Sequence, residues 1–331
     1  MKKATLQKKR ILGFLLLILV FSCGFSPALQ DEPAFFPAGS LIWSPDARNM
    51  LQISRSAIIR YAIPQLNPQV RFETHLENQE IAGFCAKNQT AVIIEDRQKI
   101  VFYDASNAEM IREILIPFDA YGGSCSPDGS SFLVYSADEI SASLWDVKSG
   151  VEQKTLSGFS TAAPVYSVNF SPDNTALLWH ARASFQLQEI ESGRLWNSID
   201  LWDFVDVYTL SPDSKILATA ISTEDALQYT VIFWNAESGE EINRVLLSDQ
   251  PARSITFHPD NQRVMIADNT HLYQVNLADF KISSKELFPL SNVDDPDQAE
   301  RIQQISFSPD GSFLGVLTNK AQVSLIQLDQ K

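Results

Sequence analysis

The chain has 331 residues, a formal net charge of −14 and 45% hydrophobic residues, close to an ordinary globular composition. That excludes a disordered tail protein and a multi-span membrane protein, and the acidic balance argues against general nucleic-acid binding. Three cysteines are too few for a disulfide scaffold or a Cys-built zinc ribbon.

Residues 1–22 hold five bases (Lys2, Lys3, Lys8, Lys9 and Arg10) and no acid, and an apolar run follows from Ile11 to Phe21. This is the layout of a secretory signal. Such a run rises about 16 Å as a helix, short of a ~30 Å hydrocarbon core. Val20-Phe21-Ser22-Cys23-Gly24 resembles the bacterial lipobox, in which the Cys is acylated and becomes the mature N-terminus. The resemblance implies lipid on Cys23 and a protein of the bacterial cell envelope. Cleavage after Ala28, giving a soluble secreted or periplasmic protein, and an uncleaved anchor are the alternatives. Loss of residues 1–22 takes away five bases and no acid, which leaves a mature charge of −19.

Beyond residue 38 a repeat runs to the end of the chain. Ser-Pro-Asp occurs at Ser44, Ser126, Ser171, Ser211 and Ser308, and His258-Pro259-Asp260 is its variant. A large apolar residue usually precedes it: Trp43, Phe170, Leu210, Phe257, Phe307. Cys85 stands where the missing copy belongs, which makes the steps 41, 41, 45, 40, 47 and 50, mean 44. Each copy reads as four short strands. An alternating strand such as Val165–Phe170 enters the turn, where Pro, Asp and Gly supply the tight geometry. A second apolar strand follows, such as Phe132–Tyr135. A third ends in an aromatic and a polar residue, as in Trp145-Asp146 and Trp234-Asn235, and a Ser-Gly turn leads to the fourth. Four-stranded units at this period predict a propeller.

The pattern is similar to that of the WD-repeat family over residues 39–331, with Trp145-Asp146 as the intact Trp-Asp dipeptide. Quinoprotein-dehydrogenase-like and lactonase-like propellers are the other groups it resembles. The resemblance implies an all-β fold: one seven-bladed propeller of four-stranded antiparallel blades. The tally of terminal residues predicts that a strand near Glu32–Phe36 completes the last blade, so that residues 23–38 serve as tether and closing strand.

The repeated aspartates and the third-strand aromatics Tyr103, Trp145 and Trp234 read as structural, since each has a turn or packing setting. No catalytic motif is present. His75, His180, His258 and His271 fall in different blades, so no metal site is expected, and no cofactor is called for. The acidic run Asp294, Asp295, Asp297 and Glu300 lacks the sharp turn that calcium needs and reads as a solvated loop. Before the turns, the first strands place apolar or small residues on one side. Between them stand Ile42, Gly83, Ser124, Asn169, Thr209, Thr256 and Ser306, without acid, base or His. Cys85 and Cys125 lie on neighbouring first strands. Blades diverge, so two buried thiols are expected rather than a disulfide.

These features favour a non-enzymatic, lipid-anchored scaffold for protein partners. A lactonase-like or dehydrogenase-like enzyme with a site over the channel is the alternative. Binding is expected on the rim opposite the Ser-Pro-Asp turns, where loop lengths vary. Its candidate anchors are Phe118, Phe159, Trp202 and Phe204, with Tyr121 and Phe288 also in loop-like settings. Asp119, Asp200, Asp203 and Asp206 beside them suggest a basic or neutral partner and a salt-sensitive on-rate.

Overall fold

The computed structural model describes residues 40–328 except 45, 54–56, 74–79, 86–89, 105, 108, 137–140, 158–164, 182–183, 202–203, 223–228, 248–249 and 289–298, and only the backbone of 53, 72–73, 80–84, 204, 206 and 222. It is a seven-bladed β-propeller, built entirely of antiparallel blades. Blade 1 is β1 (Ser40–Trp43), β2 (Asn49–Ile53), β3 (Ala57–Ala62) and β4 (Asn67–Glu73). Blade 2 is β5 (Glu80–Cys85), β6 (Thr90–Glu95), β7 (Lys99–Asp104) and β8 (Met110–Leu115). Blade 3 is β9 (Gly122–Cys125), β10 (Ser131–Ser136), β11 (Ser141–Asp146) and β12 (Glu152–Ser157). Blade 4 is β13 (Val165–Phe170), β14 (Ala176–Ala181), β15 (Ser184–Glu189) and β16 (Ile199–Asp200). Blade 5 is β17 (Phe204–Leu210), β18 (Ile216–Ser222), β19 (Tyr229–Asn235) and β20 (Glu241–Leu246). Blade 6 is β21 (Ser254–Phe257), β22 (Arg263–Ala267), β23 (His271–Asn276) and β24 (Ile282–Glu286). Blade 7 is β25 (Ile302–Phe307), β26 (Phe313–Thr318) and β27 (Val323–Gln327). The expected closing strand near Glu32–Phe36 and Cys23, the expected site of lipid, lie outside the described residues.

One register unites the blades. The residue before each turn serine, or before Cys85 or His258 in its place, pairs with the residue seven positions on: Trp43 with Met50, Phe84 with Ala91, Cys125 with Phe132, Phe170 with Leu177, Leu210 with Leu217, Phe257 with Val264 and Phe307 with Leu314. The turn chemistry explains this constancy. The hydroxyl of Ser126 donates to Asp128 Oδ1 at 2.6 Å and accepts the Ser131 N–H at 2.9 Å, while Asp128 accepts the Ser130 N–H. The same bonds recur around Ser44, Ser171, Ser211 and Ser308. Three residues after the serine or its His258 replacement, φ is always positive, at Ala47, Gly129, Asn174, Ser214, Asn261 and Gly311. Burial raises the carboxyls of Asp46, Asp128, Asp173 and Asp310. The bonds from the serine hydroxyl and the N–H two residues on outweigh it and hold them below the ordinary carboxylate range.

The core lies between blades rather than at one centre. Phe102 and Trp145 share a cluster between blades 2 and 3, Leu133 and Trp179 between blades 3 and 4, and Phe233 and Phe257 between blades 5 and 6. Blades 7 and 1 meet through Leu41, Trp43, Met50, Leu317 and Leu325. Polar stitches cross the same junctions. Ser254 Oγ accepts the Ile305 N–H and donates to the Ile305 carbonyl. Tyr135 Oη donates to the Tyr166 carbonyl at 2.9 Å. Arg112 and Lys154, on the fourth strands of blades 2 and 3, each donate to two carbonyls of the next blade. The third-strand aromatics are structural, as expected. Trp234 Nε1 donates to Thr219 Oγ1, Tyr103 Oη to Glu95 Oε1 and Tyr273 Oη to the fully buried Asp268.

The expectation of two buried thiols is overturned: Cys85 and Cys125 form a disulfide, with Cα atoms 5.4 Å apart. The first strands converge at the channel, so divergence between blades is smallest there. Gly123 brings them closer still. A Cβ on it would run into the Leu133 carbonyl and stand 3.1 Å from Ile94 Cδ1 of blade 2.

Candidate functional site: channel wall and variable rim

The first strands line the channel and sort their side chains as the alternation predicts. Ile42, Ser124, Asn169, Thr209, Thr256 and Ser306 are half-buried. Their neighbours Leu41, Trp43, Val168, Leu210, Ile255, Phe257, Ile305 and Phe307 are buried between blades. Among the described residues, these wall positions offer hydroxyl, amide and methyl groups and no titratable side chain.

Tyr208 departs from simple packing. Its phenol bonds Ser167 Oγ and accepts from Asn169 Nδ2 at 3.2 Å, across the junction of blades 4 and 5. Burial pushes this phenol up, against the opposing effect of those two bonds. The His180 ring stacks on Phe185 at 4.4 Å and meets the ring of Tyr208 at 4.9 Å and that of Tyr166 at 5.5 Å, both near edge-on. Tyr166 is the extra residue of a β-bulge between β13 and β14, and it is 53% exposed. Bulges of this kind re-aim side chains. The result is an aromatic cluster on the rim away from the Ser-Pro-Asp turns.

A second aromatic site on that rim spans blades 2 and 3. The turn from β6 to β7 closes by the Gln98 N–H on the Glu95 carbonyl, with φ 50° at Asp96 and 59° at Arg97. Positive φ at both central positions is the I′ pattern, for which Asn-Gly or Asp-Gly is the favoured pair. A non-glycine residue in the left-handed region costs about 1–2 kcal/mol, less for Asp, whose short side chain tolerates it. Arg97 bears that cost in full. The connection from blade 2 to blade 3 lies against the turn: the Ile116 N–H donates to the Gln98 carbonyl at 2.9 Å and the Ala120 N–H to the Arg97 carbonyl at 2.7 Å. Gln98 Nε2 donates to Asp119 Oδ1 at 2.8 Å. The Arg97 guanidinium lies over the Tyr121 ring, 4.9 Å from its centre. An exposed contact of that type contributes about 0.5–1 kcal/mol, less than the strain.

Of the four expected anchors, Phe118 belongs to this second site and packs half-buried on the cluster between blades 2 and 3. Phe159 and Trp202 lie outside the described residues, and only the backbone of Phe204 is described, at the start of β17. Asp119 is held by Gln98, and Asp200 is exposed in β16. The sequence reading passed over Arg97, placed Tyr166 only as part of an alternating strand and weighed His180 only as a metal ligand. The available signal was Asp96-Arg97 between two apolar strands, a turn pair lacking the expected glycine.

No protein-family model matches the chain, and no curated protein does.

Proposed function

We propose that the protein is an exported binding module: a divergent WD-repeat-like propeller held at the bacterial cell envelope by lipid on Cys23, presenting its variable rim to a protein partner. The observation that carries this reading is the contrast between wall and rim. The channel-facing positions named above supply neutral groups, poor material for acid–base or metal chemistry. The rim displays Tyr121, Arg97 and Tyr166, residue types that dominate interface energies. The disulfide supports export, because such bonds persist in oxidising compartments. The apolar leader ending at Cys23 supports the anchor.

The test is partner capture from envelope extracts in gentle detergent with two alanine sets, both checked by melting. One set takes Phe118, Tyr121, Tyr166, Trp202 and Phe204. The other takes Arg48, Lys215 and Glu237 on the Ser-Pro-Asp rim. Capture lost only with the first set is the expected result; loss only with the second inverts the binding face. A monomer that hydrolyses lactones or reduces an acceptor dye would replace the binding reading by the enzymatic one. Labelled palmitate should enter the wild-type chain and not the Cys23→Ala chain.

A further inference from the structure

We propose that Arg97 and Tyr121 form a docking point for a carboxylate of the protein partner, an Asp or Glu side chain flanked by an apolar residue. The proposal rests on the reading of the protein as a binding module. Its first support is the broken turn rule. Arg97 holds φ 59° at the place where glycine is favoured. The Tyr121 contact returns less than that strain costs, and strained positions of this kind cluster at binding surfaces.

The second support is what surrounds the guanidinium. Glu95 is paired with Lys99 at 2.7 Å, and Asp119 accepts from Gln98. The Arg97 guanidinium makes no hydrogen bond or ion pair among the described residues, in a chain of net charge −14. Its N–H groups suit a carboxylate, which they can take through two parallel bonds. The third support is preorganisation. Two backbone bonds fix the turn to the Ile116–Tyr121 connection, and the Tyr121 ring holds the side chain, so little freedom is left to lose on binding. Tyr121, 37% exposed, and the half-buried Phe118 give an apolar margin for the flanking residue. A partner of neutral or positive overall charge that brings one carboxylate to this point escapes the long-range repulsion of the acidic propeller.

The test is a titration of the full ¹⁵N-labelled chain with N-acetyl-Phe-Glu-amide, N-acetyl-Phe-Gln-amide and inorganic phosphate, read at Arg97 Nε–H and the Tyr121 amide. Saturable shifts with the Glu peptide, at least ten-fold weaker with the Gln peptide, are expected. Arg97→Gly should abolish the shift at Tyr121 while raising the melting temperature, because it restores the favoured turn residue. Equal response to the Gln peptide, unchanged binding in Arg97→Gly, or a lower melting temperature in that variant overturns the proposal. Phosphate binding as tight as the Glu peptide overturns the protein carboxylate as ligand. Failure here with rim-dependent partner capture intact removes the docking point alone; loss of both removes the binding-module reading.

Discussion

The side-chain amide of Gln304 pairs with both backbone groups of Leu41. Gln304 Oε1 accepts the Leu41 N–H at 2.7 Å, and Nε2 reaches the Leu41 carbonyl at 3.4 Å. A side chain of blade 7 thus imitates one residue of a ladder with blade 1, at the point where the ring must close. Trp43 Nε1 donates to the Ser306 carbonyl and Gln52 Nε2 to the Ala321 carbonyl across the same junction. Gln304→Ala leaves the Leu41 N–H and carbonyl without these bonds, a loss of about 2 kcal/mol. Urea unfolding should show it, with Gln327→Ala, an exposed position, as the neutral control.

The disulfide joins blades 2 and 3 across 40 residues. Closing a loop of that size stabilises by roughly 4 kcal/mol in the chain-entropy description. The Cys85→Ala/Cys125→Ala variant should unfold at clearly lower urea than the wild type. Unreduced digests should yield a linked pair of peptides containing Cys85 and Cys125. Two separate peptides with free thiols would refute the bond.

The repeat was legible because its information is local. A serine, a proline and an aspartate specify a turn by bonds among themselves, so their spacing exposed all six copies and the place of the seventh at Cys85. The alternation around Asn169 and Thr209 likewise showed which residues face the channel. The disulfide depends on how closely β5 and β9 approach, a distance set by packing between blades and by Gly123. Local spacing carries no such information. The partners of Tyr208, on another blade, were hidden for the same reason. Arg97 was hidden differently: its side chain is ordinary for a surface loop, and the missing glycine of its turn stands out only once Asp96 and Arg97 are known to be the central pair of the turn that joins β6 and β7.

The left-handed position after each turn predicts opposite outcomes for two exchanges. Ala47 sits at φ 56°, so Ala47→Gly should stabilise by about 0.5–1 kcal/mol, the relief of strain less the added freedom of the unfolded chain. Gly311→Ala meets both strain and an obstacle, since its Cβ would lie 2.6 Å from His258 Nε2. It should lose more than the ~1–2 kcal/mol of strain alone. Melting curves of the two variants should therefore move in opposite directions, and a parallel movement would refute the turn analysis.

The turn aspartates set an acid limb. Asp46, Asp128, Asp173 and Asp310 have folded values below the ordinary one. A carboxyl depressed in the folded state contributes stability above its unfolded pKa and loses it as pH falls through the folded value. The wild type should lose stability below about pH 4. With all four changed to Asn, the stability at pH 7 should be lower and the fall below pH 4 shallower. Urea midpoints across pH 2–7 for both proteins check this, and equal slopes would remove the aspartates as its cause.

The last blade shows three strands among the described residues, while the other six show four. The outer side of β27 therefore has no described partner strand. Chain length supports Glu32–Phe36 as the missing strand. In this topology a fourth strand ends on the variable rim, and the chain then crosses to the first strand of the next blade. Between β16, which ends at Asp200, and β17, which starts at Phe204, that crossing takes residues 201–203. A strand ending at Phe36 leaves residues 37–39 before Ser40, the same three-residue crossing. The prolines at 33 and 37 suit an outermost strand, where half the N–H groups need no partner. Deleting Asp31–Pro37 should lower the melting temperature far more than deleting residues 291–297, a segment of equal length between blades 6 and 7. Hydrogen exchange adds a local readout, because β27 amides protected in the full chain should exchange rapidly in the deletion. Unchanged melting and unchanged protection of Val323–Gln327 would make residues 31–37 a tether and leave β27 as the true edge of the blade.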